Sequence, residues 1–325
     1  MKIDAVVTWV DGDDPRHAEK RHQHDGRAVP AASRSATRFA SRGEIGYCVW
    51  SILTFCPFID RVFVVTDDQR PDVLEDLFAR HPDWRARVII ADHRDIFGPH
   101  ADLLPVFSSR SIETMLHRIP ELAEHFLYFN DDIFIGRPCT AKAFFDGGRP
   151  VLTGTLRPFP RPAWARLKAL LRRAPPRAGF KEAQQRAARL AGRSGSYLLA
   201  EHRPHPMRRS TLAAFYEGRE EALRAQAGHR FRSPAQISPI GLAHHLELIA
   251  GAEVRPPVHG GYIKPVTGAR RMRRVADTLD ALRRGALETI CIQSLDAMDP
   301  AQQRLVLEGL EAWMRDPPKD VSPPA

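Results

Sequence analysis

Residues 125–136 read HFLYFNDDIFIG, and the reading of this stretch decides the fold. An apolar, aromatic-rich run of this length is a buried strand. Two adjacent carboxylates, Asp131 and Asp132, follow it at once. Open α/β sheets hold their ligands just beyond the carboxyl ends of such strands. Paired acids there repel each other and are poorly solvated unless a cation lies between them. Hard oxygen donors suit magnesium or manganese, so the pair is a candidate metal site serving a diphosphate. The other reading is a solvated Asn-Asp-Asp turn closing the strand.

Working outward, strand-like and helix-like segments alternate. IDAVVTWV (3–10) is a β-branched run stopped by Asp11-Gly12-Asp13-Asp14-Pro15. Residues 16–40 read as a polar loop. From Gly43 to Cys56, apolar residues recur at helical spacing, and Pro57 ends the helix. RVFVVTD (61–67) and RVIIAD (87–92) are further strands with a short helix, 71–81, between them. A helix is expected over about 110–117, others from about Arg209 and between Ala276 and Arg284, and a last one over 301–314. Such alternation predicts a largely parallel α/β sheet flanked by helices.

The chain has 325 residues, enough to bury a large core. Its formal charge of +9 is local. Between Arg157 and Arg193 stand eleven Lys or Arg and one acid, Glu182, so this segment carries +10 and the remainder −1. Residues 151–198 therefore read as a basic helical insertion between an N-terminal catalytic part (1–150) and a C-terminal part (199–315), with a disordered tail at 316–325. Trp164, Leu167, Leu170 and Leu171 would form one face of a basic amphipathic helix. That helix either touches anionic lipid or an acidic polymer, or is a solvated arm. Confinement of the charge to one segment argues against nucleic acid as a partner. Cys48, Cys56, Cys139 and Cys291 show no zinc-like spacing and fit reduced core thiols. The start, MKIDAVVTWVDGDD, lacks the regions of a signal peptide. The expected location is cytoplasmic, peripheral at the inner face of the membrane if the basic segment docks there.

Four segments together resemble the Stealth family of sugar-1-phosphate transferases: IDAVVTWVDGDDP (3–15); the region from Gly43 to Gly136, with SILTFCPFIDRVFVVTD, DHRDIF, LPVFSSRSIETMLHRIPEL and HFLYFNDDIFIG; HRPHPMRRS (202–210) followed by HRFRSP (229–234); and, weakly, ETICIQSLDAM (288–298). The family includes capsular polysaccharide phosphotransferases and the catalytic subunit of the lysosomal-enzyme N-acetylglucosamine-1-phosphotransferase. The resemblance implies a Rossmann-like, glycosyltransferase-A-like domain. It also implies a UDP-sugar donor, a divalent metal, a polysaccharide or glycan acceptor, and transfer of sugar and phosphate together with release of UMP. A conventional glycosyltransferase releasing UDP is the alternative.

Carried onto this sequence, the resemblance makes Asp131 and Asp132 metal ligands, or groups that position the reactants. It gives Glu113 an active-site role, where spacing alone suggests an i,i+4 pair with His117. His202 becomes the general base, because imidazole accepts a proton near neutral pH. His205 orients it or contacts substrate, and Arg232 holds the migrating phosphate through its guanidinium fork. Asp11 has a nucleotide or metal role, or is a turn aspartate. Trp9 either stacks on the base or packs in the core. His117 and Arg118 are secondary candidates. Where many relatives carry Asn-Asp, this chain has Gln293-Ser294, so an amide is left for substrate and an acid is lost.

Overall fold

A computed structural model describes residues 1–24, 39–160, 179–257 and 259–319. The N-terminal part runs β1 (Ile3–Thr8), α1 (Pro15–His22), α2 (Glu44–Phe55), β2 (Ile59–Thr66), α3 (Val73–Arg80), β3 (Val88–Asp92), α4 (His93–Phe97), α5 (Ser109–Met115), β4 (His125–Asn130) and β5 (Ile133–Ile135). A short hairpin follows, β6 (Phe145–Asp146) and β7 (Arg149–Pro150), then β8 (Leu152–Pro158). Next come α6 (Phe180–Leu190), β9 (Ser196–Ala200), β10 (His205–Arg208), α7 (Arg209–Tyr216), α8 (Glu220–Ala227) and α9 (Pro239–Ile249). The chain closes with β11 (Val254–Arg255), β12 (Gly260–Ile263), α10 (Ala269–Arg283), β13 (Thr289–Ile292) and α11 (Pro300–Arg315).

The central sheet has the order β10-β4-β1-β2-β3. Its inner strands are parallel, and β10 closes one edge antiparallel. Side chains alternate across a strand, and here both faces are covered. Ala5, Val7, Val62, Val64, Leu127 and Phe129 point into one core, with α2 and α11. Val6, Phe63, Val65, Phe126 and Tyr128 point into the other, with α5, α7 and α9. Burial on both faces explains why these strands are almost uninterrupted apolar runs. Trp313 of α11 anchors the first core, with its ring centroid 4.8 Å from Trp50 and 5.7 Å from Phe55.

At the end of β4 the chain leaves this sheet. Asp131 and Asp132 form the corner, and β5 joins a second sheet of order β12-β13-β5. The amide of Ile292 donates to the carbonyl of Asp132 at 2.9 Å and closes that corner.

Three segments differ from the sequence-based expectation. Residues 16–22, read as loop, belong to α1, which Pro15 opens and the Asp14 carboxylate caps by accepting from the Arg16 and His17 amides. The described parts of 151–198 are not a helical insertion throughout, because β8 and β9 pair antiparallel and flank α6. The alanine face of α6 (Ala183, Ala187, Ala188) is fully buried, and Gln184 is stitched to both backbone groups of Ala200. Small residues let the helix approach closely, and they carry little hydrophobic signal in a sequence. The stretch with Trp164, Leu167, Leu170 and Leu171 lies outside the described residues, as does most of the 316–325 tail. Helix α10 begins at Ala269 rather than Ala276, since its first turns, ARRMRR, are largely exposed and lack an apolar stripe. No helix among the described residues is long and apolar enough to cross a membrane.

Candidate active site

A cleft of about 660 Å³ opens at the carboxyl ends of the parallel strands. Strand β1 delivers Thr8 and Trp9 to it, the β4–β5 corner delivers Asn130, Asp131 and Asp132, and α5 delivers Ser109, Arg110 and Glu113. The C-terminal part adds His202, His205, Arg232 and Gln293. Residues far apart in sequence thus converge on one concavity.

One wall is acidic. Asp131 and Asp132 line the cleft, half-buried. Burial pushes Asp131 well above the usual carboxylate range, and the charges of Asp132 and Glu44 push it further. Asp132 is pushed up to about 6, chiefly by burial, despite a 3.6 Å contact from the Cys291 thiol. Its Oδ1 is buried with no hydrogen-bond partner. Glu44, the first residue of α2, also faces the cleft, accepts from the Arg42 amide at 2.5 Å and is raised by burial. Asp296 adds a further acid to the lining. Buried acids that repel one another are relieved by a cation or by protonation. Among the described residues, however, no three His, Cys, Asp or Glu side chains gather as a metal-binding group, so oxygens of a bound substrate would have to complete the shell.

The facing wall is cationic and aromatic. Arg232 donates to Ser109 Oγ at 2.5 Å. Glu113 lies beside this pair. Burial raises its carboxyl, and the charges of Arg232 and Arg110 oppose that rise. Tyr128 Oη reaches Glu113 at 3.5 Å and Asn130 Oδ1 at 2.9 Å. A buried hydrogen-bonded chain therefore links Glu113 to the residue preceding the acid pair. His202 lies between Phe180 and Tyr262, with centroids 5.1 and 5.8 Å away and planes within 18° and 17° of its own. Burial lowers its affinity for a proton, with the Glu201 charge opposing, so the imidazole is neutral and able to accept one. His205, on β10 opposite Tyr128, is held down to about 3 by burial and the neighbouring His202. It is therefore neutral near pH 7 and lines the cleft beside His202.

Trp9 is both packed and site-facing. It is 7% exposed, donates to Ser41 Oγ at 3.1 Å and still lines the cleft. Gln293 lines it too, and its Oε1 accepts from the Tyr262 hydroxyl. Asp11 does not reach it. Its main chain pairs reciprocally with the Gln69 side chain, at 2.9 and 2.8 Å, and its carboxylate caps the Asp13 amide at 2.9 Å. It is the turn aspartate of the alternative reading. His117 and Arg118 also stay out of the lining. Helix α5 ends at Met115 and tightens into a 3₁₀ turn, Leu116–Arg118, which turns His117 away from Glu113 and onto Tyr216, 6.3 Å between centroids. Sequence reasoning missed Glu44, Arg110, Phe180 and Tyr262. Only Arg110, in SSRSIE beside Glu113, carried a local signal.

Two family models match: Stealth protein CR1, conserved region 1, over residues 1–27, and Stealth protein CR2, conserved region 2, over residues 38–151. The chain is similar to an exopolysaccharide phosphotransferase of Streptomyces coelicolor, 41% identical over 241 residues, covering 73% of this chain and 41% of that protein. It is also similar to the capsular polysaccharide phosphotransferase WcwK of Streptococcus pneumoniae, 30% identical over 262 residues, covering 73% of this chain and 75% of that one. The match to the Streptomyces protein thus spans about two fifths of the relative's length. Among solved structures, the galactosyltransferase LgtC aligns over 96% of both chains at a TM-score of 0.46 and 10% identity, too distant to bear on the chemistry. The family regions contain β1, the acid corner and Glu113, and the similarity to WcwK spans most of both chains. The chain belongs to the Stealth protein family.

Proposed function

We propose that this chain transfers a hexose-1-phosphate or N-acetylhexosamine-1-phosphate from a UDP-sugar to a hydroxyl of a surface polysaccharide or glycan, releasing UMP. The observation that carries the reading is the convergence of Asp131, Asp132, Glu113, His202 and Arg232 on one cleft. Its named relatives, exopolysaccharide and capsular polysaccharide phosphotransferases, support the reaction class. Phosphoryl transfer needs charge neutralisation, in-line positioning and an activated hydroxyl.

In this reading the acceptor hydroxyl gives its proton to a ring nitrogen of His202 as its oxygen bonds to the phosphorus that carries the sugar. The bond from that phosphorus to the UMP oxygen breaks, and UMP leaves. Arg232, steadied by Ser109 and the Glu113 carboxylate, carries the phosphate's charge. Asp131 and Asp132 fit a divalent cation, because a buried Asp132 oxygen has no hydrogen-bond partner and the Asp132 charge disfavours ionised Asp131 beside it. Such a cation would neutralise the diphosphate. A cytoplasmic location, where UDP-sugars are made, is part of the same proposal.

The test uses a UDP-sugar labelled on the sugar-linked phosphorus. Label recovered in the acceptor with UMP release is expected. Unlabelled product with UDP release would overturn the reading in favour of a conventional glycosyltransferase.

A further inference from the structure

Phe180 and Tyr262 are among the few large hydrophobic side chains that the described residues leave exposed, at 43% and 45%. They come from different elements, α6 and β12, yet both stack on the same histidine, His202. Among the described residues, no side-chain hydrogen bond holds that imidazole in place; the two rings do. Both are anchored in turn. The Tyr262 hydroxyl donates to Gln293, which lines the cleft. The loop carrying His202 is pressed onto β12 through Arg203. A Cβ at Gly260 would lie 2.5 Å from its Nη2, so a larger residue there would displace the guanidinium. Arg203 also lies 3.8 Å from Glu288. The result is an imidazole held between two half-exposed aromatic rings, Phe180 in the cleft lining and Tyr262 beside it, with the Lys264 ammonium over the Tyr262 ring at 6.0 Å from its centroid.

We infer that Phe180 and Tyr262 form the acceptor-sugar subsite, receiving the apolar C–H surface of a pyranose while its hydroxyl meets the edge of His202. The inference deepens the proposed function and rests on the reading of His202 as the base. A pyranose matches the site chemically: it is apolar over its ring faces and carries hydroxyls around its edge. Exposed aromatic surface beside a proton acceptor provides both complements, since rings offer a large apolar area at low entropic cost. Tyr262 and Phe180 are thus positioning residues for the base and binding residues for the acceptor.

The test has two arms. In the first, a panel of methyl hexopyranosides and methyl N-acetylhexosaminides is examined by saturation-transfer NMR, without donor, against the wild-type chain and the Phe180→Leu, Tyr262→Leu double variant. Leucine keeps apolar bulk without the ring, and thermal melting confirms the fold. Saturation of ring C–H protons in the wild type, falling at least about fivefold in the variant, is expected. No saturation in the wild type, or equal saturation in both, overturns the inference. In the second arm, Tyr262→Leu should raise the acceptor KM about tenfold and the donor KM by less than about twofold. Equal changes in both overturn it. UDP release by the wild type would sink the proposed phosphotransfer but leave the binding arm readable.

Discussion

The two walls of the cleft are built in opposite ways. The acid wall stands at the end of a parallel strand, set by β-sheet rules and held under electrostatic tension. The histidine–arginine wall is assembled from a loop, the ends of short elements and stacked rings, and burial there favours the neutral imidazole of His202 that accepting a proton requires. Function in the first is bought by burial that disfavours charge. In the second it comes from placement. Substitutions should therefore affect stability and turnover differently on the two sides.

The largest effect expected is on the acid side. Asp132→Asn should lower turnover by at least about a thousandfold yet raise the melting temperature at pH 7 in the absence of metal. An ionised carboxylate pushed up to about 6 costs the fold on the order of 3 kcal/mol at that pH. A lower melting temperature in this variant would break the comparison. Next come His202→Gln and Arg232→Ala, expected to reduce turnover roughly 10²- to 10⁴-fold, with melting temperatures within a few degrees of the wild type. Strong destabilisation of His202→Gln would show that this wall, too, is part of the structural core.

Smaller but sharper is the pH dependence of metal-free stability. Asp132 has a raised folded-state value, so its penalty is absent below the unfolded value of about 4, grows between there and about 6, and is complete above. The metal-free melting temperature should therefore fall from pH 4.5 to pH 7, apart from the acid titration of other groups, which Asp132→Asn corrects for. Added magnesium or manganese should raise it at pH 7 and do little near pH 4.5. A pH-independent or absent response to metal would remove the cation from the acid wall. The smallest effect belongs to Asp11→Asn, which should change turnover by less than about threefold, because its carboxylate caps a turn that asparagine also caps.

Legibility in the sequence follows the same division. β1 to β4 were readable because burial on both faces writes continuous apolar runs, and the strand-end rule then located Asp131 and Asp132. Glu113, His202 and Arg232 had no such local grammar. Spacing alone would have made Glu113 half of an i,i+4 pair, and only the family resemblance singled the three out. The structure brings all three to the cleft. Asp11, for which the strand-end position left both a site role and a turn role open, lies outside the cleft lining, because the chain already turns after Val10 to pair with Gln69. Phe180 and Tyr262 were invisible, since one lies in a basic stretch and the other in a short strand, GGYI, too brief to register. Their partnership exists only in three dimensions.

The passage from β4 to β5 has one more consequence. Asn130 still belongs to the central sheet and Ile133 already to the second, so Asp131 and Asp132 are the whole length of the hinge between them. A joint without slack cannot drift: one inserted residue would exchange the places of Phe134 and its isoleucine neighbours against β13 and draw the Asp132 carbonyl off the Ile292 amide. Length here should be as tightly constrained as chemistry, and a glycine inserted after Asp132 should melt well below either point substitution at the same corner.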